Sequence, residues 1–539
     1  MKKLKLIILT FLLCIFISTT TYAANTLEET YSLNTINQYT NVFKNYVDGY
    51  SIMVPKSAKL YFDPDQNMTR FDYGNKKLKI FMETFNKGFN KADYEVYSAK
   101  GIYNNTVDHN ITFDSNIKLA NGNVRVIEFN RRKLKKIKND KNYYLICFKN
   151  IDDMRTMTLM LKSETPIDRN DFLKMVGSVN TNVPVTKTPY LSKAKNRYFD
   201  NAGNAIKEKN WSDETKEVYL NDFVKSQKQT WGIYSDGFWM YNQIPGLESE
   251  ANIKFKYMIL YHNLNESNAN VRAALHYAKN NNKVVELTFQ THIRKGNNLI
   301  YDVLDGQYDN YFKEMAKMIK EEKTPTIFRI ANEMNGDWCS YSAWNTGLDS
   351  DIYHELYNYL YDIMQEQGAN PYLMYVFNPN GGSFPNFKYN QESVYRPNDH
   401  RFDIMGLTLY NTGTYYKDEK WSTFDELYYP LYVNTEKRYD KPFMITEFSC
   451  SSLGGDKVKW TSDMLNSIKN YGKIKVAIWF NGIDRDANGN PARIYKIDDP
   501  KENIKVFRDY FTKNNSNSNA KSNSNTKSDE NSDNKSDNN

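Results

Sequence analysis

Between about Lys225 and Phe511 the chain alternates short apolar, β-branched runs with longer amphipathic stretches. The runs are Thr230–Tyr234, Ile253–Tyr261, Val284–Gln290, Thr326–Ala331, Tyr372–Phe377, Ile404–Tyr410, Phe443–Glu447 and Val476–Phe480. Asn268–Lys279, Gln307–Lys320, Asp351–Gln367, Phe424–Arg438, Val458–Tyr471 and Glu502–Tyr510 read as helices between or after them. The connections after the first and fifth runs are irregular. Strands apolar nearly throughout must be covered on both faces, as parallel strands are. Eight such units match a (β/α)8 TIM barrel over residues 225–513 better than an open sheet. In that fold the chemistry sits where strands end and loops begin, at the C-terminal face of the barrel.

The rest of the chain divides around this barrel. Lys2, Lys3 and Lys5 precede an apolar stretch, Leu6–Ile17, that ends near Tyr22-Ala23-Ala24. Twelve residues are too few to span a bilayer, so residues 1–23 read as a signal peptide and the protein as secreted. Removing Lys2, Lys3 and Lys5 lowers the formal net charge from +7 to +4, too little for a nucleic-acid partner. Residues 25–185 read as a smaller α+β domain, with β-rich runs at Tyr50–Val54, Val124–Phe129 and Tyr143–Phe148 and a helix near Asp168–Met175. Residues 186–224 form a lead-in, and residues 514–539, nearly all Asn, Ser, Lys and Asp, form a disordered tail. The basic segment Arg131–Lys138 reads as a lysine-protected edge strand with Leu134 and Ile137 inward, or as a patch for an anionic wall polymer. The second reading makes the N-terminal domain the element for cell-wall association.

Several chemistries lack their residues. Cys147, Cys339 and Cys450 are odd in number, widely spaced and free of any CxxC pattern, so idle thiols are expected. The six histidines form no HxxxH or HExxH pair, and no P-loop, GxGxxG or GxSxG element occurs. Asp484–Asn490 begins like a calcium loop, but Tyr495 stands where the twelfth-position Glu belongs, so it reads as a polar turn. No metal or organic cofactor is expected.

Two strand ends carry the positive signal. The fourth run ends in Asn332-Glu333-Met-Asn-Gly-Asp-Trp338, and the seventh ends in Glu447-Phe-Ser449. Glycoside hydrolysis needs two carboxyls flanking the scissile bond, roughly 5–5.5 Å apart when configuration is retained. Strands four and seven of a closed eight-strand barrel face each other, which makes that spacing attainable.

The segment Arg329-Ile-Ala-Asn-Glu333-Met-Asn-Gly-Asp-Trp338 closely resembles the acid/base motif of glycoside hydrolase family 26. Pro442–Phe448 resembles the nucleophile strand of the same clan, Asp403–Tyr410 its sixth strand and Val476–Phe480 its eighth. Phe377-Asn-Pro-Asn380 is similar to the family's fifth-strand end. The resemblance implies Glu333 as acid/base and Glu447 as nucleophile. It implies Arg329 and Tyr410 as donors to Glu447, and Trp338, Trp344 and Trp479 as surfaces on which pyranose rings stack. Two departures stand beside the cleavage point. Asn332 replaces the family's usual His, and Phe289-Gln290, with His292 two residues on, replaces a Trp-His pair. Both touch the shell that reads the 2-hydroxyl, so β-1,4-mannan and β-glucan both stay open. The resemblance thus implies a retaining β-glycosidase with a polysaccharide substrate; the signal peptide makes it secreted, and the many aromatics around the cleft point to endo action. Two alternatives remain: a non-catalytic carbohydrate-binding or adhesion protein, and a hydrolase trimming the cell's own exopolysaccharide.

Overall fold

The computed structural model describes residues 27–88, 90–188, 209–235 and 240–514. The signal peptide, residues 189–208 of the linker and lead-in, and the tail from 515 on lie outside the described residues.

Eight parallel strands close into a barrel in chain order: Thr230–Ser235, Tyr257–Asn263, Val284–Gln290, Thr326–Ile330, Leu373–Phe377, Ile404–Thr408, Phe443–Phe448 and Ile474–Asn481. They are called barrel strands 1 to 8 below. Their alternate residues serve two cores. Tyr257, Ile259, Val284, Ile327, Met374, Val376, Ile404, Met444, Val476 and Ile478 fill the interior, and Trp211, Tyr219 and Phe223 join them from below. The Trp211 indole donates to the Leu373 carbonyl at 2.8 Å. The intervening residues, among them Trp231, Ile233, Met258, Ile445 and Trp479, pack outward in the layer shared with the helices. Burial on both sides is why these strands read as unbroken apolar runs.

The first irregular connection contains a helix, Met240–Ala251, interrupted by Pro245. The fifth contains three short 3₁₀ turns between Lys388 and Arg401 in place of an α-helix. The N-terminal helix Lys91–Tyr103 covers part of this segment: Tyr94 meets Phe387 edge-on at 4.6 Å, and the Ser98 and Tyr389 hydroxyls are 3.1 Å apart.

The N-terminal domain is β-rich, with an antiparallel three-stranded sheet (residues 31–55) and an antiparallel seven-stranded sheet (residues 59–163). Its strand Tyr143–Asn150 explains the architecture. Leu145 and Cys147 point into the domain's own core, whereas Tyr144, Ile146 and Phe148 point into the core shared with the barrel. Along this strand the seven-stranded sheet is therefore a middle layer covered on both faces, whereas its edge strand Asn110–Leu119 is largely exposed.

The basic segment is not an edge strand. Residues 131–138 form a loop between strands that docks on the barrel. Leu134 is buried and Ile137 packs against the shared core. Arg131 pairs with Asp140 at 2.7 Å within the domain. Arg132 bonds Asp302, Lys135 lies 3.5 Å from Asp305, and Lys136 lies 2.5 Å from Asp309, all on the barrel. Arg132, Lys135 and Lys136 thus find opposite partners across the domain junction, while Lys133 and Lys138 stay exposed to solvent.

A second cluster locks the junction beside the fourth barrel loop. Lys162 Nζ lies 2.7 Å from both Asp349 and Asp351, Lys79 lies 2.6 Å from Asp351, and the Tyr144 hydroxyl donates to Asp349 at 3.0 Å. Burial alone would push the two carboxyls up. Lys162, helped by Lys77 and Lys79, overrides it and holds Asp351 well below the usual carboxylate range, and Asp349 is lowered too. Removing one partner of such a group leaves an uncompensated buried charge. Lys162→Met is therefore expected to destabilise the protein by about 3–5 kcal/mol, measured by urea and thermal unfolding. An unchanged melting temperature would refute the locking role.

Candidate active site

The mouth of the barrel is built in layers above its apolar plug. The lower layer is polar and comes from inward positions: Glu286 and Thr288 on strand 3, Arg329 on strand 4, Asn378 just past strand 5, Thr408 on strand 6, and Thr446 with Glu447 on strand 7. Arg329 is the hub and is fully buried. Its Nε donates to Thr288 Oγ1 at 2.8 Å, one terminal nitrogen to Asn378 Oδ1 at 3.1 Å, and the other to Glu447 Oε2 at 3.4 Å. Its Nε also lies 2.8 Å from Glu286 Oε1.

Strict alternation would not aim Glu447 at the mouth. Met444 and Thr446 face inward, so the next residue should face the helices. A shift of register, in which Thr408 pairs with Glu447 and Phe448 with Trp479, marks a bulge at this point. A bulge re-aims side chains by one position, and Glu447 turns inward next to Thr446. Glu333 is aimed differently. Ala331 and Glu333 both adopt left-handed backbone, with φ of 51° and 54°, where a residue with a Cβ is strained. The Glu333 amide donates to the Asn378 carbonyl at 2.8 Å and holds the turn, and Asn380 Nδ2 donates to its carboxylate.

Both carboxyls are shifted toward the protonated form. Burial pushes Glu447 up to about 8, and the nearby Asp484 carboxylate adds to it. Burial also raises Glu333, against the pull of the Asn380 hydrogen bond, Arg329 and the Trp338 indole, while Asp484 pushes it upward again. Arg329 and Asp484 both act on Glu333, and Arg329 touches Glu447 while Asp484 acts on it, so the two acids share one mouth. A carboxylate pair in one low-dielectric site holds a proton readily, as acid/base work requires.

Several aromatic positions differ from expectation. Trp479 is fully buried on the outward face of strand 8, its indole donating to the Tyr495 carbonyl at 3.0 Å and its ring against Phe448, Trp460 and Phe507. It cannot floor a sugar site. The neighbour of opposite parity, Phe480, takes the mouth position, stacked on Tyr234 at 4.6 Å and edge-on to Tyr410 at 5.7 Å. Trp344 is also buried, its indole donating to the Tyr97 carbonyl at 2.8 Å in the domain junction. Trp338 is the exposed one, 55% accessible and 5.4 Å from Phe384. Gly336 permits this, because a Cβ there would come within 2.5 Å of the indole.

The remaining expected residues are divided. Gln290 donates to Asn332 Oδ1 at 2.8 Å, and the Tyr341 hydroxyl donates to the Asn332 carbonyl at 2.7 Å, so this pair is fixed beside Glu333. His292 is exposed in the loop after strand 3. Tyr410 stands at the mouth between Phe480 and Tyr495, with no hydrogen bond to Glu447 among the described residues. Its hydroxyl is raised by burial and then by the Glu333 charge.

Three contributors were not singled out in the sequence for the site: Glu286, Asp484 and Asn380. Asn380 lay within a quoted motif, and Asp484 opened the segment read as a polar turn. That turn is the hairpin of Ile483–Arg485 with Pro491–Ile494, where Asp486 accepts from the amides of Asn488 and Asn490. Asp484 is held by Arg493 at 3.1 Å. Cys147, Cys339 and Cys450 are free and buried. A separate cleft of about 430 Å³ lies at the domain junction around Lys77, Lys79, Asp351 and Arg396. Lys77, Lys79, Asp351 and Arg396 are already paired, and the cleft contains neither Glu333 nor Glu447.

Residues 262–440 match the family model described as Glycosyl hydrolase family 26. Over these residues, about a third of the chain, it is similar to glycoside hydrolase family 26. The family 26 match includes Glu333 and ends just before strand 7. Endoglucanase H of Acetivibrio thermocellus is 27% identical over 223 residues, which are 40% of this chain and 23% of that protein. This chain thus spans under a quarter of that relative's length. Among solved structures, the catalytic domain of the GH26 endo-beta-1,4-mannanase of Bacillus sp. JAMB-750 is 20% identical with a TM-score of 0.44, covering 56% of this chain and 91% of that one. The GH26 domain of an endo-beta-mannanase/endo-beta-glucanase from Prevotella bryantii is 13% identical with a TM-score of 0.40, covering 57% and 95%.

The placement of the tryptophans is testable by a pair of variants. Trp479→Ala should cost about 3–5 kcal/mol of stability, as emptying a packed core site does. Trp338→Ala should leave unfolding within about 0.5 kcal/mol of wild type and weaken retention on immobilised polysaccharide. The opposite pattern would place Trp479 in the cleft.

Proposed function

We propose that this protein is an exported retaining endo-β-glycosidase acting on a β-linked hexose polysaccharide of the mannan or β-glucan class. The observation that carries this reading is the pair of carboxyls at the ends of barrel strands 4 and 7, Glu447 buried and Glu333 half-buried, with one guanidinium acting on both. In the first step a Glu447 oxygen attacks the anomeric carbon. The glycosidic C–O bond breaks, its electron pair goes to the leaving oxygen, and that oxygen takes the proton of Glu333. In the second step Glu333, now a carboxylate, takes a proton from water. The water oxygen attacks the anomeric carbon, and the ester bond breaks back to Glu447. Two inversions leave the configuration unchanged.

The groups around the acids suit these roles. Burial holds Glu447 toward its protonated form, and the Arg329 contact is what favours the charge the attack requires, while burial also keeps a proton on Glu333 for the leaving group. The Gln290–Asn332 pair supplies amides beside the acid/base, where a sugar hydroxyl would be read. Trp338 with Phe384, and Tyr415 with Tyr416 on the loop after strand 6, expose aromatic surface for pyranose C–H faces. Aromatic surface on more than one loop supports attack within a chain rather than at its end. Export rests on the charged and apolar segment at residues 1–23, and N-terminal sequencing of protein recovered from culture medium tests it.

A panel of mannan, mixed-linkage glucan, cellulose and xylan, with product anomers followed by NMR, identifies the substrate and the stereochemistry. Glu447→Ala should lower kcat by several orders of magnitude. Glu333→Ala should recover turnover on substrates with activated leaving groups, and azide should then yield a glycosyl azide of retained configuration. Inverted anomers from the wild type would exclude double displacement.

A further inference from the structure

Glu286 is the third acid of the barrel interior and has no part in the reaction described above. It is fully buried on strand 3. Its Oε1 lies 2.8 Å from Arg329 Nε, nearer than the 3.4 Å contact between Arg329 and Glu447. Among the described residues its Oε2 has no hydrogen-bond partner. The guanidinium therefore stands between two carboxyls, one at its Nε edge and one at a terminal nitrogen. We propose that Glu286 is a positioning residue that anchors Arg329 and competes for its charge, thereby setting the pH at which Glu447 becomes ionised. This rests on the assignment of Glu447 as the nucleophile.

Charge balance in the barrel supports it. Arg329 with one ionised carboxyl is a neutral group, whereas Arg329 with two leaves a net negative charge away from water. The two acids therefore titrate as a coupled pair. Ionisation of either raises the cost of ionising the other. Burial pushes Glu286 up to about 7, with Arg329 and the Thr288 hydroxyl pulling against it, which places it close to Glu447 at about 8.

The groups that face Glu286 are few. Thr288 lies on its own strand, 3.4 Å from Oε1. From strand 4 comes Arg329, and from strand 2 the Tyr261 ring, 5.4 Å from that guanidinium. Glu447 of strand 7 stands on the far side of the cation. The register partners of Glu286 on the adjacent strands, Ile259 and Ile327, are apolar. Among the described residues no other charge is interposed between the two acids along this path, and Asp484, after strand 8, adds its own push to Glu447.

The test reads the Glu447 carboxyl directly. Full-length protein labelled with ¹³C at Glu carboxyls is titrated by NMR, with the Glu447 signal assigned from E447Q. Glu286→Gln keeps the shape and removes the competing charge, so the Glu447 midpoint should fall by about one unit. Glu286→Asp keeps the charge farther from Nε, and its midpoint should lie between the two. On the polysaccharide identified by the panel, the acid limb of the kcat profile should move with the midpoint while KM stays unchanged. A Glu447 midpoint the same in wild type and Glu286→Gln overturns the proposal whether or not the protein turns over sugar. A shifted midpoint in a protein without turnover supports the coupling and refutes the glycosidase reading instead.

Discussion

The barrel depends on how it houses Arg329. A guanidinium carries five N–H donors and a charge that burial cannot remove. Sealed above a plug of Ile, Val and Met side chains, it is tolerable only if every edge is occupied. Its contacts reach strand 3 through Thr288 and Glu286, Asn378 at the end of strand 5, and strand 7 through Glu447. One side chain thus fixes the relative height of three strands besides its own. The polar layer above the plug is in effect the set of groups this cation requires, and the nucleophile candidate is one of them.

That dependence links packing to chemistry. Thr408 and Thr446 hydrogen-bond each other at 2.9 Å beneath the bulge that turns Glu447 inward. Asn378 does double service: its side chain receives Arg329 while its carbonyl receives the strained Glu333 amide. Strain at Ala331 and Glu333 is held at a site where a fixed direction of the acid matters more than local backbone comfort. The two acids are consequently aimed by different devices, a bulge for one and a left-handed turn for the other, that meet at Asn378 and Arg329.

Much of this was legible in the sequence, for physical reasons. Strands buried on both faces leave continuous apolar runs, and all eight fell on or next to the expected positions. Acidic residues directly after such runs are conspicuous, which made Glu333 and Glu447 readable. Parity was not. Trp479 and Phe480 are adjacent aromatics, and only strand register decides which one meets solvent. The Glu447 bulge is likewise a property of pairing with neighbours and leaves no local signature. Glu286 hid in plain view because one acid inside an apolar run reads as a strand residue until the cation on the next strand is seen. Trp344 and Arg131–Lys138 were misplaced for another reason: each was assigned to solvent or ligand, and each found a partner in the other domain.

Those two misplacements define what the N-terminal domain is physically. A detachable binding module would have one wet sheet face and a polar, sparsely packed junction. Here the central strands of the seven-stranded sheet are buried on both faces, and the barrel-facing side contributes Phe81, Ile127, Phe129, Tyr144 and Phe148 to the same core as the barrel helices. Above that core, Lys79 and Lys162 hold the Asp349–Asp351 end of the loop that begins at Glu333, while Tyr97 bonds Asp337 near its start. The loop presenting the acid/base candidate is clamped at both ends by residues from outside the barrel. A barrel whose fifth connection lacks a helix, and whose fourth loop is fixed by a neighbouring sheet, has made that sheet part of its own scaffold.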